Sequence, residues 1–195
     1  MQYNKTQEEA YWSLRYADGA TGWDIKIAST PLISFMDSVA DKSTKILIPG
    51  AGYGHEAIYL VENGFTDVTV CDLAIQPLQR IKFINNKINI IHGDFFELTD
   101  KYDIILEQTF FCAIPRINRM DYVVKMNQLL SDNGLLVGVL FNKELPLSGP
   151  PHGGSRKEYE KLFEPFFEIV KLEECYNSIS PRSGNEFFIK FVKQN

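Results

Sequence analysis

The residues of this chain with the plainest chemical potential lie in a glycine turn and two acids downstream of it. The turn reads Ile48-Pro49-Gly50-Ala51-Gly52-Tyr53-Gly54-His55, and the acids are Asp72 and Asp94. Glycines in such a turn let the backbone reverse tightly and let a ligand approach closely. The dinucleotide fingerprint is G-x-G-x-x-G. Here the third glycine falls one place early, at Gly54, and His55 holds the expected position. Asp72 follows Gly50 by 22 residues. A carboxylate there, at the end of a strand, can accept hydrogen bonds from both ribose hydroxyls. In Gly93-Asp94-Phe95-Phe96, the acid can meet an adenine amino group while Phe95 packs on the ring. Together these features point to an adenosine ligand. The bland alternative is a tight strand–helix turn followed by ordinary acidic turns.

Aromatic residues form the second candidate group. Trp12 and Tyr16 stand at i,i+4, and Trp23 follows in a Thr-Gly-Trp-Asp loop. A flap of rings can close over a cation and exclude water. The alternative is a helix that packs Trp12 and Tyr16 into the core. Cys112 has no evident base and reads as a buried apolar residue. The three cysteines and three histidines are scattered, without the paired spacings of a disulfide framework or a zinc site. A reducing cytosol is the expected compartment.

Elements that position these residues alternate regularly. Helices are predicted over 5–17, from Thr30-Pro31 with Thr30 as N-cap, over 55–63, 77–83, 119–130 and 155–163. For the last of these, Ser155 and Glu158 form a capping box. Strands are predicted over 45–48, 68–71, 88–91, 102–106, 135–141, 167–172 and 186–192. Strand–helix alternation implies a mostly parallel sheet covered on both faces. The last two strands lack an intervening helix, so they form an antiparallel hairpin at one edge. The fold class is α/β, a doubly wound seven-stranded sheet, with ligands at the carboxyl ends of its strands. The expected organisation is one domain, 1–195, with lid helices over 1–42 and the core over 43–195.

With 195 residues, 45% apolar and 13% aromatic, the chain can bury a substantial core. Its net charge of -5 lacks the footprint of a nucleic-acid binder. The longest apolar run, Leu135 to Phe141, is far shorter than the roughly 20 residues of a membrane span. No export signal is visible at the start of the chain.

The chain resembles the S-adenosylmethionine-dependent methyltransferases of the thiopurine methyltransferase superfamily, most of all the plant-type thiol and halide branch. The resemblance runs from Trp12 to Phe163. It is carried by Thr21-Gly22-Trp23-Asp24, the glycine turn, Asp72-Leu73, Gly93-Asp94-Phe95-Phe96, Thr109-Phe110-Phe111-Cys112-Ala113-Ile114, Arg119 and Gly149-Pro150-Pro151. It implies a Rossmann-like class I methyltransferase fold with an N-terminal helical lid. It implies S-adenosylmethionine as cofactor, held by Trp12, Tyr16, Trp23, Gly50, Gly52, Asp72, Asp94, Phe95 and Gln108. Tyr16 and Gln108 stand where the plant-type members usually carry Trp and Tyr. Arg119 matches the family's substrate-side arginine. The implied reaction is in-line methyl transfer to a small soft nucleophile: a thiol, bisulfide, a halide or a thiopurine-like sulfur. The amino-group motif [DNS]-P-P-[YF] is absent after the fourth strand, and Gly149-Pro150-Pro151 reads as a pocket wall. Expected partners are a small-molecule acceptor, no nucleic acid and no membrane, in a monomer or weak homodimer. Two other functions compete: a nicotinamide-dependent oxidoreductase, and a module that holds the donor without turnover.

Overall fold

A computed structural model describes residues 4–145 and 149–194. Alternation of apolar side chains builds its centre. In β1 (Lys45–Pro49), Ile46 and Ile48 face one layer and Leu47 the other; in β2 (Asp67–Asp72), Val68 and Val70 oppose Cys71. A strand buried on both faces needs helices on both faces. One layer is covered by α2 (Thr30–Met36), α3 (His55–Glu62) and α4 (Ile75–Ile84), through Leu32, Leu60 and Ile81. The other is covered by α5 (Arg119–Leu129) and α6 (Arg156–Phe163), through Tyr122, Met126, Tyr159 and Phe163.

The remaining strands are β3 (Asn89–His92), β4 (Tyr102–Gln108), β5 (Leu130–Phe141), β6 (Phe167–Glu174) and β7 (Glu186–Lys193). Their order is β3-β2-β1-β4-β5-β7-β6. Strands β1 to β5 pair in parallel, and β7 runs antiparallel to both β5 and β6. This is the doubly wound sheet expected from the alternation. The order reverses between β1 and β4, so the switch point lies at their carboxyl ends. Helix α1 (Lys5–Ala17) lies outside the two layers and has no buried residue.

Three local expectations shift. The cap of α2 falls on Ser29, whose N–H donates to the buried Glu56 at 2.9 Å. Strand β5 starts at Leu130, because Leu130 pairs with Tyr102 ahead of a register shift. The capping box of α6 forms by half. Ser155 accepts from the Glu158 N–H, but the Glu158 carboxylate turns to Arg119.

Gly54 accounts for the early third glycine. It is left-handed, at φ +68°, and a Cβ there would stand 2.5 Å from Ile81 Cδ1. Its task is to let α4 pack against the turn. Gly54→Ala is expected to lose about 1–3 kcal/mol from the backbone conformation alone. Urea denaturation reads this; an unchanged midpoint would show that the turn relaxes freely.

Candidate active site

Carboxylates set the geometry of the sheet's carboxyl edge. Asp72 ends β2 and is buried. Its Oδ2 accepts from the Gly52 N–H at 2.9 Å and its Oδ1 from the Ala74 N–H at 2.8 Å. Burial pushes this carboxyl up, while the Ala74 and Gly52 donors oppose the shift. Each carboxylate oxygen keeps a second lone pair. Past β3, Asp94 accepts from the Phe96 N–H at 2.9 Å and presents Phe95, whose ring lies 5.2 Å from that of Phe110. Gly50 is left-handed, at φ +58°, and a Cβ there would overlap the Phe110 ring.

Glu107, near the end of β4, is fully buried. It accepts from the Phe110 and Phe111 N–H groups at 2.8 and 2.9 Å, and from the Tyr122 hydroxyl. Gly138 of β5 lies opposite, and a Cβ there would collide with Glu107. The carboxylate thereby holds the turn in which Thr109, a β-branched residue, sits at φ +56°. Burial pushes the Glu107 carboxyl up to about 7, against these three donors.

These turns floor a cleft of about 430 Å³, roofed by α1 and the loop after it. Trp12, Tyr16, Trp23, Gly50, Asp72, Asp94 and Phe95 all line it. The lid rings meet edge to face. Trp12 and Tyr16 lie 5.4 and 5.6 Å from Trp23, and Tyr16 lies 5.4 Å from Tyr53. So Trp12 and Tyr16 face the cleft, not the core. Polar ties add to this. Asp24 contacts His55 Nε2 at 2.8 Å, and the Trp23 carbonyl accepts from Arg182 at 2.8 Å. Pro150 and Pro151 form part of the wall, as their position suggests.

Three residues fall elsewhere. Gly52 and Gln108 line a small neighbouring cleft behind the glycine turn, where Gln108 Oε1 is buried without a partner. Arg119 does not line the main cleft, and it is not solvated. Only 2% exposed, it stacks on Phe111 and donates to Glu158 at 2.5 Å and to the Gly153 carbonyl at 2.8 Å. It pins the loop beyond the prolines. Sequence reasoning missed Arg182 and Arg15, which do line the cleft. Arg182 is backed by Glu186 at 3.5 Å. Cys112 also lines the cleft, and burial pushes its thiol up to about 12.

A deep cleft at the switch point, with a buried acid after β2 and an aromatic lid, defines an S-adenosylmethionine-dependent methyltransferase. A family model described as thiopurine S-methyltransferase matches residues 7–191, and the chain belongs to that family. It is similar to a probable thiol methyltransferase 2 of Arabidopsis thaliana, 26% identical over 94% of this chain and 85% of that one. It is also similar to thiocyanate methyltransferase 1 of Brassica oleracea, 27% identical over 98% and 88%. The fold matches that of a Burkholderia thailandensis 1,6-didemethyltoxoflavin-N1-methyltransferase solved with S-adenosylhomocysteine. That match has a TM-score of 0.79 and 16% identity over 100% of this chain and 92% of that one. The residues present fit the donor: its nucleoside needs a buried hydroxyl acceptor and a ring contact, and the cleft is lined by the buried carboxylate of Asp72 and the ring of Phe95.

The buried Glu107 carries a pH signature. An acid whose folded pKa is raised binds its proton more readily when folded. Stability is then full at low pH and declines as pH rises from 4.5 to about 7. The isosteric Glu107→Gln removes this decline. Urea midpoints should show the variant gaining on the parent across that window. A constant difference would mean Glu107 stays ionised throughout.

Proposed function

We propose that the chain transfers the methyl group of S-adenosylmethionine to a small, soft sulfur anion. When bound, the donor supplies a methyl carbon on a sulfonium leaving group, so neither metal nor strong acid is needed. The residues' task is to hold, orient and exclude water, a contribution of about 7–11 kcal/mol at its upper range. Asp72 accepts from the ribose hydroxyls, Asp94 meets the adenine amino group and Phe95 packs on the base. Trp12, Tyr16 and Trp23 close over the sulfonium and face it with their rings. The acceptor arrives from the far end of the cleft, past Ile114, Phe141 and Pro151. There Arg182 takes the place that the resemblance implied for Arg119.

One observation carries this reading: the acceptor end combines apolar walls with a cation and holds no base. Among the described residues lining the cleft, Asp72 and Asp94 are engaged by turn N–H groups, Glu8 stands at the nucleoside end beside Trp12 and Asp94, and Cys112 keeps its proton far above neutral pH. A nucleophile here must arrive already ionised. A thiol does so in part, with an ordinary pKa of about 8.5, and Arg182 favours the thiolate. An amine would arrive protonated. The names of the plant relatives, thiol and thiocyanate methyltransferases, agree with a soft anion. The same reading places the enzyme in a reducing cytosol, which three free cysteines suit, as a monomer or weak homodimer. No helix among the described residues is long and apolar enough to cross a membrane.

Headspace gas chromatography with bisulfide, thiocyanate, iodide and small thiols tests the acceptor. For two thiols of different pKa, the inflection of kcat/KM against pH should follow the thiol. An inflection fixed by the protein would reveal a base in the cleft. Methylation of an amine with none of any soft anion would overturn the reading. Independently, Asp72→Asn should weaken S-adenosylhomocysteine binding about tenfold or more, the worth of hydrogen bonds to a charged acceptor. Unchanged affinity by calorimetry would remove Asp72 from the site.

A further inference from the structure

Four of the described arginines are buried or half-buried: Arg15, Arg116, Arg119 and Arg182. Three have carboxylate partners. Arg116 pairs with Glu144 and Glu158, Arg119 with Glu158, and Arg182 with Glu186. Arg15 pairs with no carboxylate among the described residues. Its guanidinium carbon lies 5.7 Å from the centre of the Trp23 ring, its Nε is buried without a hydrogen-bond partner, and it lines the cleft. Arg15 is half-buried, and a buried N–H without an acceptor is costly. A ligand that carries an anion to this point would supply the acceptor.

The cleft's charges sort by place. Its carboxylates are Glu8, Asp72 and Asp94. Glu8 accepts from the Trp12 indole and feels the charge of Asp94, so all three belong to the nucleoside end. Arg15 and Arg182 flank Trp23, one at its ring and the other at its carbonyl. Trp23 stands over the glycine turn, with its Nε1 4.0 Å from where a Cβ of Gly52 would lie. That is where an amino-acid tail leaves a ribose held by Asp72. The tail ends in a carboxylate; Arg182 already has Glu186 at 3.5 Å and the Trp23 carbonyl at 2.8 Å, whereas Arg15 has no carboxylate partner among the described residues.

We infer that Arg15 is the specificity-determining partner of the donor's α-carboxylate. A planar fork matches a carboxylate with two parallel hydrogen bonds. With Arg15 so engaged, Arg182 is left as the cation facing the acceptor. The inference rests on the proposal that the cleft holds S-adenosylmethionine.

Calorimetry on the full chain tests it with two ligands: S-adenosylhomocysteine, and its decarboxylated analogue, which keeps the nucleoside and the amine. In Arg15→Gln, S-adenosylhomocysteine should bind about tenfold or more weakly, and the analogue as tightly as before. Arg15→Lys, which keeps the charge without the fork, should lose a smaller part for S-adenosylhomocysteine and nothing for the analogue. It also serves as the test if the glutamine variant fails to fold. Equal losses for both ligands would assign Arg15 to packing on Trp23 and overturn the inference. So would no loss for either, which sends the tail elsewhere. A parent protein that binds neither ligand would overturn the donor cleft itself, and the inference with it.

Discussion

Three acids near the carboxyl ends of consecutive strands govern this molecule. Asp72 ends β2, Asp94 follows β3 and Glu107 stands near the end of β4. Each accepts backbone N–H groups from the turn that follows it: Ala74, Phe96, and Phe110 with Phe111. Asp72 reaches further and also takes the Gly52 N–H, which locks the glycine turn of β1 to the end of β2. Strand ends leave unpaired N–H groups that must be satisfied. Here side chains meet that need, and two of them, Asp72 and Asp94, also give the cleft its negative end. A cationic donor therefore meets a surface already formed, and little ordering is left for the moment of binding.

The lid is built on another principle. Helix α1 has no buried residue, and its polar tie to the core, Lys5 to Glu97, is exposed at both ends. Such a pair adds little, because water and salt screen it. What holds the lid is a set of edge-to-face rings around Trp23, each worth about 0.5–1.5 kcal/mol beyond its burial. Contacts of this size hold α1 over the cleft without burying it in the core. Arg182 closes the circuit, since it joins the loop before β7 to the Trp23 carbonyl, 159 residues away in sequence.

Much of this was legible in the chain itself. Short apolar runs bounded by turn residues marked the strands, and the missing helix between the last two revealed the antiparallel β7. Gly50, Asp72, Asp94 and Phe95 converge because their spacing places them all at one sheet edge. The arginines were not legible. Arg119 matches a substrate-side position, yet Glu158 and the Gly153 carbonyl draw it into the interior. Nothing local distinguishes Arg182 or Arg15 from a solvated charge, because their neighbours come from distant parts of the chain. Gln108 sits at the end of β4, but strand alternation turns it behind the glycine turn and away from the main cleft. Gly54 shows the same limit: a helix two elements later explains it, not a ligand.

The account stands on the orientation of the nucleoside in the cleft, and a crystal structure grown with S-adenosylhomocysteine measures that directly. It should show both ribose hydroxyls within hydrogen-bond distance of the Asp72 oxygens, and adenine beside Phe95 with its amino group at Asp94. Adenine at the Arg182 end, or density in the cleft with Asp72 left facing water, would contradict it.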